Sequence, residues 1–115
     1  MGSASNWTTA WAIYYMTDPE PARSATLLTR TVTVVNMRGL HARAAAKFVT
    51  LAERYGASVE VVRDGQSVSA RSIMGLMMLG AGQGAQIELQ ADGWDAKEAL
   101  EALAGLVEAG FNERD

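Results

Sequence analysis

Ser58-Val59-Glu60-Val61-Val62-Arg63-Asp64-Gly65-Gln66-Ser67-Val68-Ser69-Ala70 is the stretch that decides the fold. Val59 and Val61 alternate with Ser58 and Glu60, the period of a half-buried strand. Asp64-Gly65 is a strong two-residue hairpin signal. A short partner strand follows from about Gln66 to Ala70. A hairpin this tight joins antiparallel strands, because parallel ones need a long crossover.

Upstream, Val32 and Val34 alternate with Thr31 and Thr33, predicting a strand from about Thr29. A turn at Asn36 to Gly39 leads into an alanine-rich helix from Ala42 to Tyr55. Ala45, Phe48 and Ala52 share its inner face and Gly56 stops it. Downstream, Ser72 opens a short apolar helix, Ile73 to Leu79, stopped by Gly80. Ile87, Leu89 and Ala91 alternate with Gln86, Glu88 and Gln90 in a further strand that Asp92-Gly93 turns. The last helix runs from about Asp95 to Ala109, with Ala96, Leu100, Leu103 and Val107 on one face. The order β-α-β-β-α-β-α predicts an α+β open-faced β-sandwich, a four-stranded antiparallel sheet with three helices on one face. Ferredoxin-like folds fit the same string, so the pattern gives architecture without function.

The folded unit is expected over residues 29–111, with a tail at 112–115. Residues 1–28 hold Asp18-Pro19-Glu20-Pro21 and no persistent period, which predicts a flexible extension. Met16-Thr17-Asp18 is a candidate natural start, and Trp7, Trp11, Tyr14 and Tyr15 are spaced as a docking helix would space them. The apolar run Trp7 to Met16 is half the roughly 20 residues a membrane helix needs, and a cytoplasmic protein is expected.

Charge and residue types narrow the function. Ten basic and 13 acidic residues give the 115-residue chain a net charge of −3, against the basic surface that nucleic acid usually selects. There is no cysteine and one histidine, which excludes disulfides and cysteine nucleophiles and leaves little for a zinc site. No metal, cofactor, membrane or nucleic acid is expected. Gly80-Ala81-Gly82-Gln83-Gly84 lacks the Lys-Ser/Thr ending of a nucleotide loop and follows a helix rather than a strand, so it reads as a turn.

The histidine, His41, stands in Arg38-Gly39-Leu40-His41-Ala42-Arg43-Ala44-Ala45-Ala46-Lys47-Phe48, where turn becomes helix. The first N–H groups of a helix have no helical acceptor and sit at the positive end of its dipole, which suits an anion. Arg38 and Arg43 flank it and can add charge-assisted bonds to phosphate oxygens. A neutral imidazole nitrogen is nucleophilic near pH 7, and its phosphoramidate is labile enough to be passed on. Position alone favours a surface histidine that caps the helix. Ser72, likewise, is explained as an N-cap. Ile73, Met74, Leu76, Met77 and Leu79 are too many for one buried face of a short helix, so Met74 with Met77 or Met78 is expected on the surface.

Gly39-Leu40-His41-Ala42-Arg43 resembles the active-site segment of the HPr family, the histidine-containing phosphocarriers of the bacterial phosphoenolpyruvate-dependent phosphotransferase system. The resemblance extends over about residues 29–111 and includes the element order. It implies a phosphoryl carrier, not an enzyme, with His41 accepting phosphate on Nδ1 from Enzyme I and passing it to an enzyme IIA domain. Arg43 takes the phosphate-supporting role. The family pattern has proline three residues after the histidine; this chain has Ala44, which restores a backbone donor in the first turn. Arg71-Ser72-Ile73-Met74-Gly75 is similar to the regulatory segment phosphorylated by HPr kinase/phosphorylase, which would make Ser72 a stable switch beside a labile relay. Arg38, Ala42 and Ala44, with Met74, Met77 and Met78, are the expected partner-facing residues of a monomer. Two other classes compete: a regulatory binding module that no longer transfers phosphate, for which Ala44 speaks, and a small RNA-binding α+β domain, which the net charge disfavours.

Overall fold

The computed structural model describes residues 27–113. The readings made for the chain before Leu27, its extension, its aromatic cluster and Met16, lie outside the described residues. The elements are β1 (Leu27–Thr33), α1 (Ala42–Ala52), β2 (Ser58–Arg63), β3 (Gln66–Ser69), α2 (Ile73–Met78), β4 (Gln86–Asp92) and α3 (Ala96–Glu108), then a 3-10 turn, Gly110–Asn112. Strand order across the sheet is β1-β4-β2-β3, and every neighbouring pair is antiparallel. The α+β open-faced sandwich read from the sequence is the fold observed.

Register explains why one face is dry. Val32 lies opposite Ile87, and Val61 opposite Leu89. Side chains two apart share a face, so Val32, Val59, Val61, Ile87, Leu89 and Ala91 all point at the helices and are buried. Thr31, Glu60, Glu88 and Gln90 take the open face. Helix α1 answers with Ala45, Phe48 and Ala52, and α3 with Ala96, Leu100, Leu103 and Val107, all buried. Truncating the fully buried Phe48 to alanine would cost roughly 3–5 kcal/mol.

Three boundaries differ from expectation, each for a visible reason. Strand β1 begins at Leu27, two residues before the expected folded unit, because Leu27 and Leu28 pair with Asp92 and Ala91 of β4. Helix α1 stops at Ala52 rather than Tyr55. Its last turn tightens through bonds from Arg54 N–H to the Leu51 carbonyl and from Tyr55 N–H to the Ala52 carbonyl. The next two amides, Gly56 and Ala57, each donate at 2.8 Å to the buried carboxylate of Asp95 instead. The third concerns the expected tail. Gly110, Phe111 and Asn112 all have left-handed φ, +64°, +57° and +60°. That is costly for phenylalanine, about 1–2 kcal/mol, but complete burial of its ring is worth roughly 1.5–3 kcal/mol. Lys47 Nζ adds a 2.7 Å bond to the Phe111 carbonyl. This anchored reversal carries Glu113 back across the molecule.

Candidate functional site

His41 is the N-cap residue of α1, and no side chain caps the helix. The first helical bond runs from Ala45 N–H to the His41 carbonyl at 2.8 Å. The N–H groups of Ala42, Arg43 and Ala44 are therefore the helix's unpaired donors. They sit where sequence spacing placed an anion site.

The loop before His41 is held from behind. Gly39 has φ +65°, and a Cβ there would run into the Ala81 carbonyl and lie 2.8 Å from Gly82 Cα. Only glycine fits. Leu40 N–H then donates to the same Ala81 carbonyl at 2.9 Å. The Gly80–Gly82 segment is thus more than the turn read from the sequence: it forms one wall of a cavity of about 290 Å³ that Arg38, Leu40, His41 and Met77 complete.

Glu113 supplies the carboxylate that no local sequence suggested. Its Oε2 accepts from His41 Nε2, and its Oε1 accepts from Asn36 Nδ2 at 3.0 Å. Asn36, itself buried, also donates to the Gly39 carbonyl at 2.9 Å, tying loop, histidine and C-terminal turn together. Hydrogen bonds from His41 and then Asn36 hold the Glu113 carboxyl below the usual carboxylate range, and the charges of His41 and Arg38 act in the same direction. A carboxylate can only accept, so Nε2 carries a proton, and in the neutral tautomer Nδ1 presents its lone pair. The imidazole keeps 16% of its surface exposed, so it is oriented but not sealed.

The other residues singled out from the sequence divide. Arg38 lines the His41 cavity; Arg43, two residues after His41, lines a different groove beside α1. Ala42 is exposed, but Ala44 is 0% exposed and lies beneath the surface rather than on it. Its side chain cannot face a partner, because the first turn of α1 packs that position against the core. Met74 and Met78 are 69% and 72% exposed, with Met77, Ile73 and Met37 also in the open, while Leu76 and Leu79 turn inward. Ser72 caps α2, its Oγ accepting from Gly75 N–H at 2.9 Å. Asn36 and Glu113 were the residues missed: one reads as an ordinary turn residue, the other as tail, and nothing local pairs positions 72 apart.

Known proteins place the chain in a family. The family model described as "PTS HPr component phosphorylation site" matches residues 28–109. Phosphocarrier protein HPr of Cupriavidus necator is 46% identical over 87 residues, covering 76% of this chain and 98% of that one. Phosphocarrier protein NPr of Shewanella violacea is 46% identical over 88 residues, covering 76% and 97%. A crystal structure of HPr from Thermoanaerobacter tengcongensis superposes with a TM-score of 0.73 at 42% identity, covering 76% of this chain and 99% of that one, and HPr of that organism has also been crystallised as a dimer. With an uncapped helix start, an oriented histidine and a family match over most of its length, the chain belongs to the HPr family of phosphocarriers of the phosphotransferase system.

Proposed function

We propose that His41 is the residue that carries the phosphoryl group, on Nδ1, taking it from Enzyme I and handing it to an enzyme IIA domain. One observation supports this above the others: Glu113 occupies Nε2, leaving Nδ1 as the free nitrogen at an open helix start. In the transfer the Nδ1 lone pair forms the new N–P bond while the donor's bond to phosphorus breaks and its electron pair stays with the donor. The His41 ring gains positive charge, which the Glu113 carboxylate stabilises without moving a proton. The transferred group carries negative charge, met by the amides at the start of α1 and by Arg38 from across the cavity. Arg38 is placed for this contact more directly than Arg43, whose exposed side chain would have to swing from its groove.

Met74, Met77 and Met78 form the docking patch, adaptable through their unbranched, polarisable side chains. Met77 reaches the cavity wall while Ser72 caps the same helix. A phosphate on Ser72, added by HPr kinase/phosphorylase, would bring about −1.5 to −2 charge to the edge of an apolar patch and weaken docking there. The protein works as a monomer in the cytoplasm, its carrier domain starting at Leu27.

The test is labelling with phosphoenolpyruvate and a verified cognate Enzyme I. An acid-labile label, absent in His41→Ala and assigned to Nδ1 by nitrogen-15 chemical shift, is expected. No label on the intact protein, or label surviving in His41→Ala, defeats the proposal. Arg38→Gln should slow transfer about tenfold, the scale of one charge-assisted bond; an unchanged rate returns that role to Arg43.

A further inference from the structure

Asn36 stands where the segments that frame His41 meet. Its own carbonyl accepts from Gly39 N–H at 3.2 Å, and its Nδ2 donates to the Gly39 carbonyl at 2.9 Å, so both ends of the 36–39 turn are latched. The second N–H of the same amide goes to Glu113 Oε1 at 3.0 Å. The C-terminal reversal passes directly against this residue: a Cβ on Gly110 would sit 3.5 Å from Asn36 Cβ. Chemistry fixes which way the amide faces. A carbonyl and a carboxylate only accept, so a flipped amide would turn its oxygen against two other oxygens. The arrangement is costly elsewhere. Asn36 is 5% exposed, and among the described residues its Oδ1 has no hydrogen-bond partner. A buried carbonyl oxygen left unpaired is destabilising. The turn needs only one of the two N–H groups. The other goes to Glu113, and the orphaned oxygen follows from pointing both that way.

We infer that Asn36 is a positioning residue for phosphoryl transfer at His41, acting through Glu113 rather than on the phosphate. This rests on the reading of His41 as the carrier residue. A glutamate side chain is long and rotatable, and holding it in one conformation costs entropy. Asn36 offsets that cost by fixing Oε1, which aims Oε2 at His41 Nε2. His41 itself follows the turn that the same amide closes. One side chain therefore sets both the place of the imidazole and the direction of the carboxylate that orients it. Asn36 does not reach the transferred group, because it is buried and lies outside the lining of the His41 cavity. The positive charge that the ring gains on transfer then meets a carboxylate already in place, with no reorganisation at the moment of reaction.

The experiment compares initial rates of His41 labelling by phosphoenolpyruvate and Enzyme I in the full-length chain, in Asn36→Ala, Asn36→Asp and Glu113→Ala, and in Asn36→Ala combined with Glu113→Ala. Asn36→Ala should slow labelling about three- to tenfold, the scale of one hydrogen bond to a charged group, and Asn36→Asp at least as much. Because Asn36 acts through Glu113, the double variant should be no slower than Glu113→Ala alone. A carbon-13 titration of the Glu113 carboxyl supplies a readout that packing would not move. That carboxyl is held below its usual range by bonds from His41 and then Asn36, and His41 and Arg38 are the charges that act on it. It should titrate at higher pH in Asn36→Asp, where a second carboxylate faces it, with a smaller rise in Asn36→Ala. If Asn36→Asp is unfolded at the assay temperature, Asn36→Ala carries both measurements. The inference is overturned by wild-type rates in the folded Asn36 variants, by rate losses that multiply in the double variant, or by an unmoved Glu113 titration. Absence of label in the wild type defeats the carrier reading and this role with it; a labelled wild type with any of those three results defeats this inference alone.

Discussion

Replacing Gly39 by alanine tests whether the loop behind His41 is held as described. The residue has φ +65°, and the added Cβ would overlap the Ala81 carbonyl. A left-handed conformation costs an alanine roughly 1–2 kcal/mol. To relieve the overlap, the 39–41 loop and the 80–82 loop must part, which strains or breaks the 2.9 Å bond from Leu40 N–H to Ala81, a further 0.5–1.5 kcal/mol or so. A stiffer unfolded chain returns about 0.4–1 kcal/mol. The net loss is about 2 kcal/mol, which for a domain of this size lowers the melting temperature by about 8–16 °C. Thermal and guanidinium unfolding of the full-length chain, followed by far-ultraviolet circular dichroism, measure it. Because the Gly80–Gly82 segment is a wall of the His41 cavity, the phosphorylation rate should fall in the same variant below its melting point. A stability loss under about 0.5 kcal/mol would show that the two loops are not locked together, and the account of the cavity would fail with it.

Three further outcomes follow from particular contacts. Glu113→Gln keeps the shape but removes the charge that orients His41; phosphorylation should slow. The folded-state pKa of Glu113 is depressed, so its stabilising contribution is present above the ordinary carboxylate pKa of about 4.3 and is lost as pH falls through the lower folded value. The difference in unfolding midpoint between wild type and Glu113→Gln should therefore be constant near neutrality and vanish in acid; a gap that widens in acid contradicts the pairing. Ser72→Ala removes the cap on Gly75 and should cost about 1 kcal/mol, while Ser72→Asp, another good cap, should cost less; equal unfolding midpoints for wild type and Ser72→Ala would remove the capping role. Asp95→Ala leaves the Gly56 and Ala57 amides without their acceptor and should cost about 3 kcal/mol, read as a shift in the urea midpoint; a loss below 1 kcal/mol would mean water replaces the carboxylate there.

Local sequence carried most of the architecture. Alternation at Val59-Val61 and Ile87-Leu89-Ala91, the Asp64-Gly65 turn and the Phe48 and Leu100-Leu103-Val107 faces are short-range signals, and burial in one core enforces each of them. His41 and Ser72 were legible for the same reason, since a helix start is marked within a few residues. Other features depended on contacts between distant parts of the chain. Glu113 meets His41 because a buried Phe111 holds a left-handed turn, a balance of core burial against backbone cost that no window of sequence displays. Gly39 against Ala81, Arg38 rather than Arg43 at the cavity, and Ala44 under the surface were likewise decided by which elements pack together. The sequence by itself determined a sheet, three helices and a histidine at a helix start. Only the tertiary structure decided which nitrogen of that histidine is free, because the carboxylate that claims the other one lies 72 residues away.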